Sequence, residues 1–362
     1  MTQQDKSASG LDGVIAAETA LSHVDGVRGE LIVAGARIDT LAFAIPLEEL
    51  AARLWSLADG QPRDVTTLTR QFGEARQQAF AHLPQLLAAA DGLPVVAGMR
   101  AAIAALGPEP DLPPEIVLSG AMPVIIAALL RAQAHLPAIP PDRTRSHATD
   151  LLCTLRDGPA SPSEIRALQA YLVTVCDHGM NASTFASRVI ASTGADLFMA
   201  VTGAYCALTG PLHGGAPEPV LAMLNSIGKA ECIAPWIDGA LSRGERLMGF
   251  GHRVYRVRDP RADVLKTAIH SLGVADLGFA AQVEAYARAA LARRYPQRPL
   301  ETNVEFYTAI LLDTLQIPRQ AFTGLFACAR TVGWIAHALE QRRLGRLLRP
   351  ASRYIGARAV GR

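Results

Sequence analysis

Three short polar segments interrupt an otherwise apolar chain, and each carries a histidine. In GPLHGGAPEPV (210–220), His213 lies among three glycines and three prolines, a backbone that presents a ring while offering few side chains to bury it. DHGMNASTFASR (177–188) carries Asp177 and His178 at the end of one helix and Asn181 in position to cap the next. LMGFGHRVYRVRDPR (247–261) puts His252 behind Gly249 and Gly251, then adds Arg253, Arg256, Arg258 and Arg261. A fourth segment, TNVEFYTAI (302–310), sets Glu305 one turn inside a helix start. Glycine-framed imidazoles, arginines and a carboxylate suit the formation of a carbanion beside a carbonyl group. The carboxylate removes the proton, an imidazole hydrogen-bonds the enolate oxygen, and the arginines grip an anionic partner.

Rival chemistries find less support. No HExxH, no histidine pair at helical spacing beside a carboxylate and no CxxC occurs, so acid-base use of the histidines stands well ahead of a metal site. No GxSxG elbow marks a nucleophilic serine, and GFG lacks the third glycine and the strand-turn-helix setting of a nucleotide loop. Singly, each residue has a plainer reading: Asn181 as a cap, Glu305 as a solvated or capping carboxylate, and His178 as much a loop residue as a site residue. Of the 35 basic residues only Lys6, Lys229 and Lys266 are lysine. That bias runs through the whole chain and lowers the weight of any one arginine.

The elements that must hold these segments are helical. Half of the 362 residues are hydrophobic, 6% are aromatic, and Ala and Leu dominate the apolar set. Val96, Met99, Ile103 and Leu106 recur at helical spacing, as do Ile165, Leu168, Leu172 and Val175, and both series read as core stripes. Leu197, Val201, Ala204 and Leu208 form a face that Gly210-Pro211 stops, and Glu218-Pro219 restarts the chain. Asp259-Pro260 opens a helix with Val264, Leu265, Ala268 and Ile269 inward, and further helices are expected near 303–315 and 320–341. Only HVDG and GELIVAGARI, within 11–42, suggest a small hairpin. His213 thus belongs to a short loop joining two helices.

Composition narrows the partners. A net charge of +2 does not point to nucleic acid, and the longest apolar run, AMPVIIAALL (121–130), is half the length of a membrane span. Residues 1–10 are polar, have no apolar stretch of a signal peptide and read as a disordered tail. Five unpaired-looking cysteines, at 153, 176, 206, 232 and 328, fit a reducing cytoplasm.

DHGMNAST, GPLHGGA, MGFGHRVY followed by DPRA, NVEFY and ARTVGWIAHALEQ together resemble citrate synthases, in order and spacing, from about 170 to about 355. ETALSHVDGVRGELIVAG resembles the family's entry segment, whereas 60–160 follows it more loosely, and the length is nearest the compact bacterial type. The resemblance implies an all-α, two-domain homodimer with a small N-terminal β hairpin. The large domain would comprise 11–211 and 312–362, and the small domain 212–311, with Gly210 and Gly214 near the first crossing. By the same resemblance His213 would stabilise the enol of an acetyl-CoA thioester, His252 would polarise the oxaloacetate ketone and Glu305 would be the base. His178, Arg261 and Arg330 would hold the oxaloacetate carboxylates, and Arg349 would reach into the partner's site. Backbone at Leu247, Gly249 and Gly251 would meet the CoA adenine, with Asn303 near the pantetheine arm. The implied reaction, in the cytoplasm, is condensation of acetyl-CoA with oxaloacetate to citrate and CoA, with acyl-CoA as co-substrate and no metal or permanently bound cofactor. Propionyl-CoA, giving 2-methylcitrate, is the alternative donor, since one methyl discriminates by only ~1–3 kcal/mol. A catalytically weak CoA- or citrate-binding regulator is the alternative of another class. One position departs from the pattern: most of the family reads NVDFY, and the extra methylene of Glu305 implies slower turnover or a shifted helix. Apart from Arg349, the seven arginines after Glu340 read as solvated charge.

Overall fold

Short polar side chains start many of the helices. Asp64, Ser146, Ser161, Asn181, Asp196, Asp259 and Asn303 each accept a backbone N–H of the first turn, and Ser161 with Glu164 completes a capping box. The computed structural model describes residues 11, 13–213, 217–273, 277–352 and 354–357. The expectation for residues 1–10 and the hinge assigned to Gly214 lie outside them.

A three-stranded antiparallel sheet comes first: β1 (Ser22–Asp25), β2 (Glu30–Val33) and β3 (Ala36–Arg37), with Val24 opposite Leu31 and Ile32 opposite Arg37. The third strand goes beyond the expected hairpin. The next helices are α1 (Ile38–Ala44), α2 (Leu47–Asp59), α3 (Val65–Ala81), α4 (Leu83–Ala89), α5 (Val95–Ala104) and α6 (Pro114–Gln133). Then come α7 (His147–Arg156), α8 (Pro162–Val175), α9 (Ala182–Ser192), α10 (Leu197–Leu208) and α11 (Glu218–Ile227). The chain continues through α12 (Ile233–Ser242), α13 (Pro260–His270), α14 (Gly278–Arg294), α15 (Val304–Thr314) and α16 (Phe322–Leu344).

Helix α16 is the axis. It is buried along most of its length and packs on α2, α6, α8, α9 and α10. Around it α3 pairs with α6 and α9 with α10, while α11 and α13 pack on α15, α12 packs on α14, and α13 also reaches α1 and α8. Most of the expected stripes point inward, but Leu106 lies beyond the end of α5 and is half-buried. The apolar run at 121–130 continues as a 20-residue helix, because Pro114 and Pro123 are both accommodated within α6. By length and composition α6 matches a membrane span, yet 83% of its apolar window is buried inside the protein. It is a core helix here: a Cβ at Gly120 would stand 2.4 Å from the Ala75 methyl on α3.

Candidate active site

Helix α8 ends at Val175, and the chain turns through Asp177, His178 and Gly179 before Asn181 starts α9. Gly179 has φ +57°, the left-handed region that glycine enters freely, and its N–H donates to Asp177 Oδ1 at 2.9 Å. His178 is buried, with Nε2 3.2 Å from Tyr255 Oη. Burial first, then Arg261, His252 and Arg330, hold the His178 ring well below the ordinary histidine pKa. Asn181 takes the plain role, its Oδ1 accepting the Thr184 N–H at 3.1 Å.

His213 lies in the turn after α10 and is half-buried rather than merely displayed. Its Nε2 accepts the Ser183 N–H at 3.1 Å and lies 2.8 Å from Ser183 Oγ. A backbone N–H can only donate, so in the neutral ring Nε2 is bare and the proton sits on Nδ1. Burial, helped by Arg330 and Arg253, lowers its pKa and keeps the ring neutral near pH 7.

The third segment is a tight loop zipped to the start of α15. Gly249 and Gly251 both have φ +85°. Gly251 N–H donates to Glu301 O at 2.7 Å, Asn303 N–H to Gly249 O at 3.0 Å, and Asn303 Nδ2 to Gly251 O at 3.0 Å. A Cβ at Gly249 would stand 2.9 Å from Phe306 Cβ, a close approach that requires glycine, whereas one at Gly251 would meet only the movable Leu300 Cδ2 at 2.9 Å, and there the left-handed φ favours glycine. Leu247 beside them is buried. His252 Nδ1 accepts from Val254 N–H at 3.0 Å and Tyr255 N–H at 3.1 Å, which puts the proton of its neutral ring on Nε2. Burial, with Arg261 adding to it, pushes this histidine down to about 4.

Two buried guanidinium groups flank the histidines. Arg261 is clamped by Asp259, Nε to Oδ1 at 3.0 Å and Nη2 to Oδ2 at 2.7 Å. Burial alone would lower its pKa; Asp259 reverses that and keeps it charged. Arg330 uses Nε to donate to Val175 O at 2.7 Å, and burial lowers it to about 10. The rest of its fork is uncommitted among the described residues, which suits an incoming carboxylate.

Glu305 is the second residue of α15 rather than a full turn inside it. Its N–H donates to Asn303 Oδ1 at 3.1 Å, and its Oε2 is buried without a partner. Burial raises the carboxyl pKa and Arg261 partly counters it. A buried carboxylate oxygen with nothing to accept from is costly to keep unless a substrate proton is to come there.

The electrostatic neighbourhoods overlap. His178 senses His252, Arg261 and Arg330; His213 senses Arg330; Glu305 senses Arg261. Arg349 stands apart, exposed beyond α16 with no hydrogen bond or ion pair among the described residues. Sequence reasoning missed Ser183, whose N–H sets the His213 tautomer, and Tyr255, whose ring lies 5.5 Å from that of His178 and 4.8 Å from that of His252. It read Asp259 only as a helix start; the Asp-x-Arg spacing was the available sign of the clamp.

Comparison with known proteins concerns the chain as a whole. The family profile described as "Citrate synthase, C-terminal domain" matches residues 10–351. A Mycobacterium tuberculosis relative is 39% identical over 362 residues, covering 96% of this chain and 92% of its own length. A citrate synthase of Haloferax volcanii is 35% identical, covering 96% and 95%. Among solved structures, the ternary complex of Thermoplasma acidophilum citrate synthase with carboxymethyl coenzyme A and oxaloacetate superimposes with a TM-score of 0.85 at 28% identity, covering 98% of this chain and 97% of that one.

Proposed function

The chain belongs to the citrate synthase family of transferases, and on that premise we propose that it condenses acetyl-CoA with oxaloacetate, releasing citrate and CoA. The observation that carries the reading is the pair of neutral histidines, each with one ring nitrogen occupied by backbone N–H donors and the other left to donate.

Glu305 removes a proton from the thioester methyl group while His213 Nδ1–H donates a hydrogen bond to the thioester oxygen, so the electron pair of the broken C–H bond is held as a hydrogen-bonded enolate. A neutral donor suits this step, because the thioester oxygen is nearly neutral at the start and gains charge only as the proton leaves. The enolate carbon then attacks the ketone carbon of oxaloacetate, whose oxygen takes the His252 Nε2–H proton as the carbonyl π bond breaks and becomes the citryl hydroxyl. His178, Arg261 and Arg330 hold the carboxylates. Water admitted afterwards cleaves the citryl thioester, and CoA leaves as the thiol. The loop at Leu247, Gly249 and Gly251 receives the CoA adenine, and Asn303 lies beside the pantetheine arm.

We assign residues 212–311 to a small domain closing on a large domain of 11–211 and 312–362. The packing of α11 on α15 and of α12 on α14 supports it, and α13 bridges α15 to α1 and α8 of the large domain. In a homodimer, exposed Arg349 enters the partner's site. All five cysteines are free thiols, which suits a cytoplasmic enzyme.

Thiol release from acetyl-CoA and from propionyl-CoA, each with oxaloacetate, tests the reading in wild type, Glu305→Asp and Glu305→Gln. Wild type turns over acetyl-CoA, and the Gln variant loses on the order of 10²–10⁴-fold in kcat. Unchanged turnover in the Gln variant removes Glu305 as base. Inert wild type and Asp variant that still bind CoA leave a regulator; a preference for propionyl-CoA makes the product 2-methylcitrate.

A further inference from the structure

We propose that the N-terminal sheet is a positioning element of the site, holding the His178 turn and the His252 loop in fixed relation to each other. The inference rests on the reading that these two histidines bind oxaloacetate.

The base of the sheet is tied into the protein by a circuit of polar groups, buried except at Ala20 and Ser22. Ala20 N–H donates to Glu340 Oε1 at 3.0 Å, and Ser22 Oγ donates to Asp177 Oδ1. Asp177 Oδ2 faces His337 Nε2 at 3.0 Å, an ion-pair distance without hydrogen-bond alignment. Arg188 Nη1 donates both to His337 Nδ1 at 3.0 Å and to Glu340 Oε2 at 2.6 Å, which returns the circuit to Ala20. Because Arg188 can only donate, the His337 ring proton belongs on Nε2, toward Asp177. Burial works to raise the Asp177 carboxyl, but His337 and Ser22 outweigh it and hold the group ionised. Asp177, Arg188, His337 and Glu340 are at most 2% exposed, so a gap in the circuit leaves a buried charge short of a partner. Asp177 directly precedes His178 and also accepts the Gly179 N–H, so the strand that holds Asp177 also sets the His178 turn.

The tip of the sheet presses on the other histidine's loop. Gly26 O, in the turn between β1 and β2, accepts the Arg256 N–H at 2.8 Å. A Cβ at Gly26 would stand 2.2 Å from the Val254 carbonyl oxygen and 2.7 Å from its carbon, a collision with main chain that no side-chain rotation relieves. A Cβ at Gly29 would stand 2.8 Å from Val257 Cγ2. Val254 is also the residue whose N–H orients His252 Nδ1. One small sheet therefore touches the backbone beside each histidine, adding a main-chain tie to the side-chain contacts that join the two loops, His178 with Tyr255 at 3.2 Å and the edge-on His178 and His252 rings with centroids 5.3 Å apart.

The test is steady-state kinetics of the full-length enzyme carrying Gly26→Ala or Ser22→Ala, with Val27→Ala, 75% exposed, as control. The expected result is a rise of about tenfold in KM for oxaloacetate, since displacing a binding group by ~1 Å can lose up to about 10²-fold. KM for acetyl-CoA stays within about twofold, and the control matches wild type. A merely structural sheet would lower the amount of active enzyme and leave both KM values alone; that outcome overturns the proposal. Should Gly26→Ala fail to fold, Ser22→Ala decides by the same criterion. His252→Gln separates the premise from the inference: an unchanged oxaloacetate KM in that variant refutes the binding role of His252 itself.

Discussion

A neutral imidazole has one nitrogen that donates and one that accepts, and a backbone N–H settles which is which. At His213 the settling group is Ser183 N–H, with the Ser183 hydroxyl beside it taking the Trp334 Nε1–H at 3.1 Å and lying 2.8 Å from both the bare His213 Nε2 and Asn181 Oδ1, either of which can accept its single proton. The two parts of this serine make separable contributions. Ser183→Ala retains the N–H and so the tautomer, and kcat should fall by less than about tenfold. It also leaves the Trp334 indole N–H without that acceptor in a buried site, and the denaturant midpoint should report a loss of about 1–3 kcal/mol. A kcat lower by three orders of magnitude would instead put the hydroxyl itself in the chemistry.

Helices can bring such groups together only where their backbones approach closely. Gly333 shows this for α16: a Cβ there would stand 2.3 Å from Cys176 O and 2.9 Å from Asp177 Oδ2, against the end of α8. Gly333→Ala must push the 176–178 segment away, and overpacking of this kind costs about 1–3 kcal/mol. Thermal unfolding is expected to show that loss, along with weaker oxaloacetate binding because His178 follows the displaced turn. Gly158→Ala is the matched control, since a Cβ at Gly158 meets nothing within 4 Å. Its stability should lie within about 0.5 kcal/mol of wild type.

Among the described residues, four histidines are buried wholly or in part with depressed pKa values: His147, His178, His213 and His252. His147 lies outside the site, its ring nitrogens buried without partners among the described residues and its pKa pushed down to about 3 by burial, with Arg76 adding to it. Below the unfolded-state pKa of 6.5 the unfolded chain takes up a proton on this residue that the folded chain refuses until about pH 3. Stability therefore falls on acidification across that window, by about 1.4 kcal/mol per pH unit for this histidine. Since His147 packs on Phe72 with ring centroids 5.5 Å apart, His147→Phe keeps the ring contact and removes the proton site. The slope of stability against pH between about 6 and 4 should flatten by nearly one proton's worth, measured by denaturant titrations across that range. An unaltered slope would mean that His147 titrates normally in the fold.

Local chemistry is what the amino-acid sequence determined by itself. Asp259, Asn181 and Asn303 start helices because a short polar side chain satisfies first-turn N–H groups wherever it occurs, and Leu197, Val201, Ala204 and Leu208 point inward because the helical period aligns them. The glycine-framed histidine loops were legible for the same reason: a left-handed φ at Gly249 and Gly251 is a property of those residues. Tertiary structure alone decided the pairings. Ala20 finds Glu340 across 320 residues, Arg188 finds His337 across 149, and the Ser183 N–H meets a ring 30 residues away. A backbone donor carries no side-chain signature, and a buried ion pair has no period. Such contacts arise when packing around α16 removes water and leaves each polar group only the partner that the fold brings to it.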